Sequence, residues 1–151
     1  MQVAANSNRV GCAIIVGGGF GPLFTEQEHA EQVNWVKSIM EATEAGQVDE
    51  LDLDPKWRDA ILQANLYTQL AWTQALFTWP IIKPQNIHCS ALVVAGSANQ
   101  KSVENMKVFK TDMEDAGIQH AIVDGLDHAQ EFSDPQSVLP IYHKFLQDYF
   151  I

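Results

Sequence analysis

Ile87-His88-Cys89-Ser90-Ala91-Leu92-Val93-Val94-Ala95-Gly96 is the stretch that decides the fold. Its centre, Ala91 to Ala95, is short and apolar on both faces. A strand buried in a parallel sheet reads this way, because helices cover it above and below. Gly96 closes it. Working outward, Val10 to Val16 (Val-Gly-Cys-Ala-Ile-Ile-Val) has the same character and ends abruptly in Gly17-Gly18-Gly19-Phe20-Gly21-Pro22. His120 to Val123 is a third such run, preceded by Gly117 and closed by Gly125. Strands that each end in glycine and lead into helices predict an α/β fold.

The segments between these runs read as helical. Thr25 and Glu28 form a capping box, and Ala30, Val33, Val36, Ile39 and Met40 follow at helical spacing as far as Gly46. Asp54-Pro55 opens a second helix that carries Ile61, Leu62, Leu66 and Leu70 and stops before Pro80. Ser102 opens a helix through Val103, Met106, Phe109 and Met113, ended by Gly117. Asp134-Pro135 opens the last, with Val138, Leu139, Tyr142, Phe145, Leu146 and Tyr149. The second and third strands lie about 25 residues apart, which suits a βαβ crossover. The first and second are separated by about 75 residues, so an insertion stands between them. The predicted organisation is an α/β core from residues 1–22 and 84–151, with a helical insertion at 23–83.

The chain has 151 residues, 46% of them hydrophobic and 19% charged, enough to build a core. Its formal charge is -10, and Glu26 to Asp59 holds ten acidic residues against Lys37, Lys56 and Arg58. Such a surface repels phosphate backbones and anionic lipid, so neither nucleic acid nor a membrane is the expected partner. No apolar run reaches the roughly 18 residues of a membrane span, and Met1 to Asn6 has neither the basic start nor the apolar run expected of a secretory signal. Cys12 and Cys89 lack CxxC spacing and read as buried free thiols, which points to the cytoplasm.

The glycine run does not match a nucleotide site. Gly17-x-Gly19 is followed by Pro22 where the dinucleotide fingerprint needs its third glycine, and no Gly-Lys-Ser/Thr ends a P-loop. A sharp exit from the strand is the structural role expected of it, and no cofactor is implied. The five histidines, His29, His88, His120, His128 and His143, fall in no metal-ligand spacing, so no metal site is expected. His29 and His143 fall on helices, His88 precedes the second strand and His120 begins the third. His128 differs, because it follows the third strand in Ile122-Val123-Asp124-Gly125-Leu126-Asp127-His128. Carboxyl ends of parallel strands are where α/β proteins place ligands and chemistry.

The order of these motifs resembles the α/β-hydrolase superfamily. The residues that carry the resemblance are Ile87 to Gly96, then Ile122 to His128, then Phe132-Ser133-Asp134-Pro135 before an amphipathic helix. Asn8-Arg9-Val10-Gly11-Cys12-Ala13-Ile14-Ile15-Val16 looks like the family's sixth strand. The resemblance covers essentially the whole chain but only the C-terminal half of the family fold. It implies strands six to eight, a helical cap in the insertion, and His128 as the base of a catalytic triad. It further implies that Met1 falls within the helix after the nucleophile. Trp72, Phe77 and Trp79 would then wall an apolar pocket for an ester or similar acyl substrate; packing between cap helices is the other reading of these rings.

Two departures from the family pattern matter. The nucleophile elbow G-x-S-x-G precedes the sixth strand in the family. None of Ser7, Ser38, Ser90, Ser97, Ser102, Ser133 and Ser137 lies in that motif, and Cys12 sits inside a strand, where a thiolate is poorly placed for attack. The acid position after the seventh strand holds Asn99. An amide can accept a hydrogen bond from imidazole but does not offset an imidazolium charge, and in serine proteases the comparable change lowers turnover by about 10⁴. Some family members place the acid after strand six, which nominates Glu26 or Glu28; both also read as first-turn residues that favour the helix dipole.

A three-stranded parallel sheet lacking its next neighbour leaves an open edge along residues 10–16, with no lysine, proline or charge to guard it. A separate chain bearing the nucleophile, or a second copy of this one, is expected to complete the sheet there. The expected function is that of the C-terminal half of a hydrolase, inactive without its nucleophile. The alternative is a binding or assembly module that kept the fold and lost the chemistry.

Overall fold

The computed structural model describes residues 1–22 and 24–150. Leu23, the first residue of the expected insertion, lies outside the described residues, as do the side chains of residues 56 and 57. The chain divides into two compact units, one of Met1–Gly21 with Ile81–Ile151 and one of Pro22–Pro80.

The first unit holds β1 (Cys12–Val16), β2 (Ser90–Gly96) and β3 (Gln119–Val123), parallel and in the order β1-β2-β3. Ile15 sits beside Val93, and Val94 beside Ala121. As the central strand, β2 is covered on both faces, and its residues from Ala91 to Gly96 are all buried. Alternation along the strand splits its side chains between two cores. Ala91, Val93 and Ala95 join Ile15, Phe20, Val103, Met106 and Met113 on one face. Leu92 and Val94 join Phe145 on the other, with Ile141, Tyr142 and Leu146 against them.

Helices supply both layers. The first face receives the short α1 (Gln2–Asn6) through Ala4, together with α5 (Gln100–Val108) and α6 (Lys110–Asp115). The opposite face receives α8 (Pro135–Phe150), whose amino end is capped by Asp134 accepting the Gln136 and Ser137 N–H groups. A short helix α7 (Gln130–Ser133) precedes it. Cys12 packs into one core and Cys89 into the other, so the thiols lie on opposite faces of the sheet. Burial pushes the Cys89 thiol above its ordinary value.

Three local features differ from the sequence reading. β3 is an edge strand with Gln119, His120 and Ile122 exposed, because it pairs with β2 alone and carries α8 on one side. The single helix expected from Ser102 breaks at Phe109, which ends α5 and begins α6 while its ring packs near Phe20. The helix expected to run from Pro55 past Leu70 is two. Asn65 turns its side chain back to accept the Thr68 N–H, which starts a fresh helix where the old one would have continued.

The second unit contains α2 (Glu26–Ala45), α3 (Pro55–Gln63) and α4 (Leu66–Thr78). The capping box at Thr25 and Glu28 forms as the sequence predicts. Gly46 ends α2 in the left-handed conformation, with φ of 69°. Val36 and Ile39 of α2 are buried, as are Thr73 and Leu76 of α4. The imidazole of His29 lies 3.1 Å from the Thr73 carbonyl and stacks on Phe77. Among the described residues, no helix is long and apolar enough to cross a membrane.

Candidate active site

The site grows from the turn after β3. Asp127 nucleates it: Oδ1 accepts the Ala129 and Gln130 N–H groups at 2.9 and 2.8 Å. The Gln130 side chain returns to the Asp127 N–H at 2.9 Å, so donor and acceptor are exchanged as in a capping box. The turn this fixes continues into α7, and it places Glu131 one helical turn after His128. Residues three apart in such a turn share a face. Nδ1 of His128 and Oε2 of Glu131 accordingly meet at 3.0 Å.

The two partners differ sharply in environment. The Glu131 side chain is fully buried, whereas that of His128 is 65% exposed. Phe132 meets the imidazole edge-to-face at 5.4 Å between ring centres. One edge of the imidazole therefore faces a buried carboxylate, while most of the side chain is open to solvent.

The exit of β2 supplies the remaining contacts. The Gly96 N–H donates to Glu131 Oε1 at 2.6 Å. Asn99 caps α5, its Oδ1 accepting the Ser102 N–H at 3.3 Å. That bond fixes which way the amide faces, and Nδ2 reaches both oxygens of Glu131 at 3.0 Å. Nδ2 of Asn99 also lies 3.2 Å from His128 Nδ1. Ser97 ties the exits of β2 and β3 together, since its hydroxyl reaches Asp124 at 3.1 Å and accepts the Gly125 N–H at 2.8 Å.

The exit of β1 closes the site from a third side. Gly17 has φ of 58°, and a Cβ there would lie 2.7 Å from His128 Nδ1 and collide with Glu131 Oε2. The first glycine of the run is thus required twice, by its backbone conformation and by the close approach of the imidazole and carboxylate. Gly19 makes room for Asn105, which clips the loop by accepting the Phe20 N–H at 2.8 Å and donating to the Phe20 carbonyl at 2.7 Å.

Of the residues nominated from sequence, His128 and Asn99 are brought together. Trp72, Phe77 and Trp79 lie in the helical unit with their rings about half exposed, and Phe77 stacks on His29. Glu26 begins α2, and Glu28 closes its capping box. The carboxylate beside His128 is Glu131, which sequence reasoning missed. The available signal was a glutamate one helical turn after a strand-following histidine. His120 lies elsewhere, lining a groove of about 390 Å³ beside Lys144 and Phe145. Among the described residues, no group of three or more His, Cys, Asp or Glu side chains is placed to hold a metal ion.

No family model and no curated protein matches the chain. Solved structures do. A carboxylesterase from the ammonia-oxidizing thaumarchaeon Nitrososphaera gargenis matches with a TM-score of 0.72 at 18% identity, over 98% of this chain and 60% of its own. MenH from S. aureus matches with a TM-score of 0.59 at 16% identity, over 97% of this chain and 63% of its own. The three-stranded parallel sheet and its helices are therefore a partial α/β-hydrolase fold. The chain spans about three-fifths of the length of these neighbours.

Proposed function

We propose that this chain is the C-terminal, proton-relaying part of a hydrolase acting on ester-like bonds of small apolar substrates. The observation that carries the reading is the exposed imidazole of His128 at the carboxyl end of β3, in a sheet like that of a carboxylesterase. In this reading His128 Nε2 accepts the proton of an attacking serine and returns it to the leaving alcohol. The serine comes from outside these residues, since none of the chain's own serines stands in G-x-S-x-G. The exposed aromatic rings of Trp72, Phe77 and Trp79 suit an apolar acyl group. Two unpaired thiols, Cys12 and Cys89, suit the cytoplasm.

The serine-bearing segment joins the sheet at β1 in this proposal. Among the described residues β1 pairs with β2 alone, and Cys12–Val16 carries no charge to discourage a further strand. The greater length of the solved neighbours favours a missing segment over a second copy of this chain. A fluorophosphonate probe, which captures activated serines, tests the assignment. The isolated chain is expected to remain unlabelled and to cleave no p-nitrophenyl ester, while a polypeptide that co-purifies with it labels. Labelling of a serine within this chain would overturn the proposal.

A second reading is favoured by Asn99, which puts a neutral amide at the family's acid position. A binding module that dispensed with catalysis would leave no labelled partner, and His128→Ala would leave its ligand affinity unchanged.

A further inference from the structure

We propose that Glu131, rather than residue 99, is the positioning carboxylate of His128, and that Asn99 serves as a neutral clamp upon it. The inference deepens the reading of His128 as a proton relay and rests on it. Four contacts reach the Glu131 carboxylate: the Gly96 N–H, Nδ2 of Asn99 on each oxygen, and Nδ1 of His128. The Gly96 N–H and Asn99 Nδ2 can only donate, so they suit an ionised acceptor and offer the O–H of a protonated carboxyl no acceptor. A carboxylate with no exposed surface must be met by hydrogen-bond donors or a cation, and His128 completes the donor set through Nδ1. Among the described residues, His128 is the one cation-capable side chain within ion-pair distance of Glu131.

The same contacts select a tautomer. With Nδ1 against a carboxylate, the neutral ring keeps its proton on Nδ1, and the lone pair of Nε2 is left on the exposed side. That is the form a general base requires. Nδ2 of Asn99 and Nδ1 of His128 then lie 3.2 Å apart as two donors sharing one acceptor. Aspartate at 99 would set a second carboxylate about 3 Å from the first, and two such charges cannot both stay ionised. Asn99 and Glu131 are thus linked choices: the negative charge sits three residues after the histidine, and its usual place is filled by a donor. Gly17 leaves the space in which the pair meets.

Long-range ¹H–¹⁵N spectra of the full ¹⁵N-labelled chain, recorded where imidazole is neutral, test this without any nucleophile. The wild-type ring of His128 is expected to show a protonated Nδ1 and an unprotonated Nε2. Glu131→Gln is expected to shift the equilibrium toward the Nε2–H form by about tenfold or more, as loss of a charge-assisted hydrogen bond implies. Returning the charge to its usual place in the double variant Asn99→Asp with Glu131→Gln is expected to restore the Nδ1–H form. A merely structural glutamate would give no such restoration. An Nε2–H tautomer in the wild type overturns the inference even if neither variant folds, as does a folded Glu131→Gln chain that keeps the wild-type tautomer. Either result leaves the proton-relay reading to stand or fall on serine labelling.

Discussion

His128 and Glu131 stand three residues apart and 3.0 Å from each other, one side chain open to solvent and the other entirely enclosed. The enclosure is built by three strand exits. Gly17 comes from β1, Gly96 and Asn99 from β2, and the Asp127 turn from β3. Sheet exits are thus where this fold concentrates both its glycines and its polar network.

Gly17→Ala is expected to cost about 2–3 kcal/mol, combining an unfavourable left-handed backbone with a collision against the His128–Glu131 pair. Gly46→Ala provides the control. It has a similar φ, 69°, but a Cβ there meets nothing within 4 Å, so only the backbone strain of about 1 kcal/mol is expected. Urea denaturation of the two variants measures the difference. Equal losses would mean that the close approach at Gly17 has no energetic consequence.

Asn105→Ala is expected to destabilise the chain by about 1–3 kcal/mol, because it leaves both the N–H and the carbonyl of Phe20 without their partner. Amide hydrogen exchange should quicken at Phe20 more than in β2. Unchanged exchange at Phe20 would show that the clip does not hold the loop.

Burial, and behind it the charge of Glu131, raises the Tyr142 phenol above its ordinary value. The folded chain therefore resists ionisation at a pH where the unfolded chain has already lost the proton. Stability from this source is unaffected below about pH 10 and declines as the pH rises beyond it. Tyr142→Phe is expected to lose stability more gradually in alkali than the wild type does. Denaturation curves at increasing alkaline pH check this, and parallel losses would contradict it.

The sheet was legible because β2 is covered on both faces and so reads as an unbroken apolar run. β3 was legible as a strand but not as an edge, since exposure depends on which neighbours are present. The breaks at Asn65 and Phe109 were hidden because apolar spacing continues through both. In the site, His128 could be found from its place after a strand, and Asn99 from its place after another. Glu131 was legible only as a glutamate one helical turn after that histidine, with nothing in the spacing to mark it as buried. Its enclosure comes from Gly17, Gly96 and Asn99, which lie far from it in the chain. The glycine run was read as a bare strand exit, yet its first residue is in direct steric relation to the histidine.

The central claim, that His128 is the base for a serine supplied by another segment, is tested most directly by the rate at which a fluorophosphonate labels that serine in the completed assembly. With His128→Ala, labelling is predicted to slow by at least about a hundredfold, the usual contribution of a positioned general base. Labelling at the wild-type rate would contradict the account.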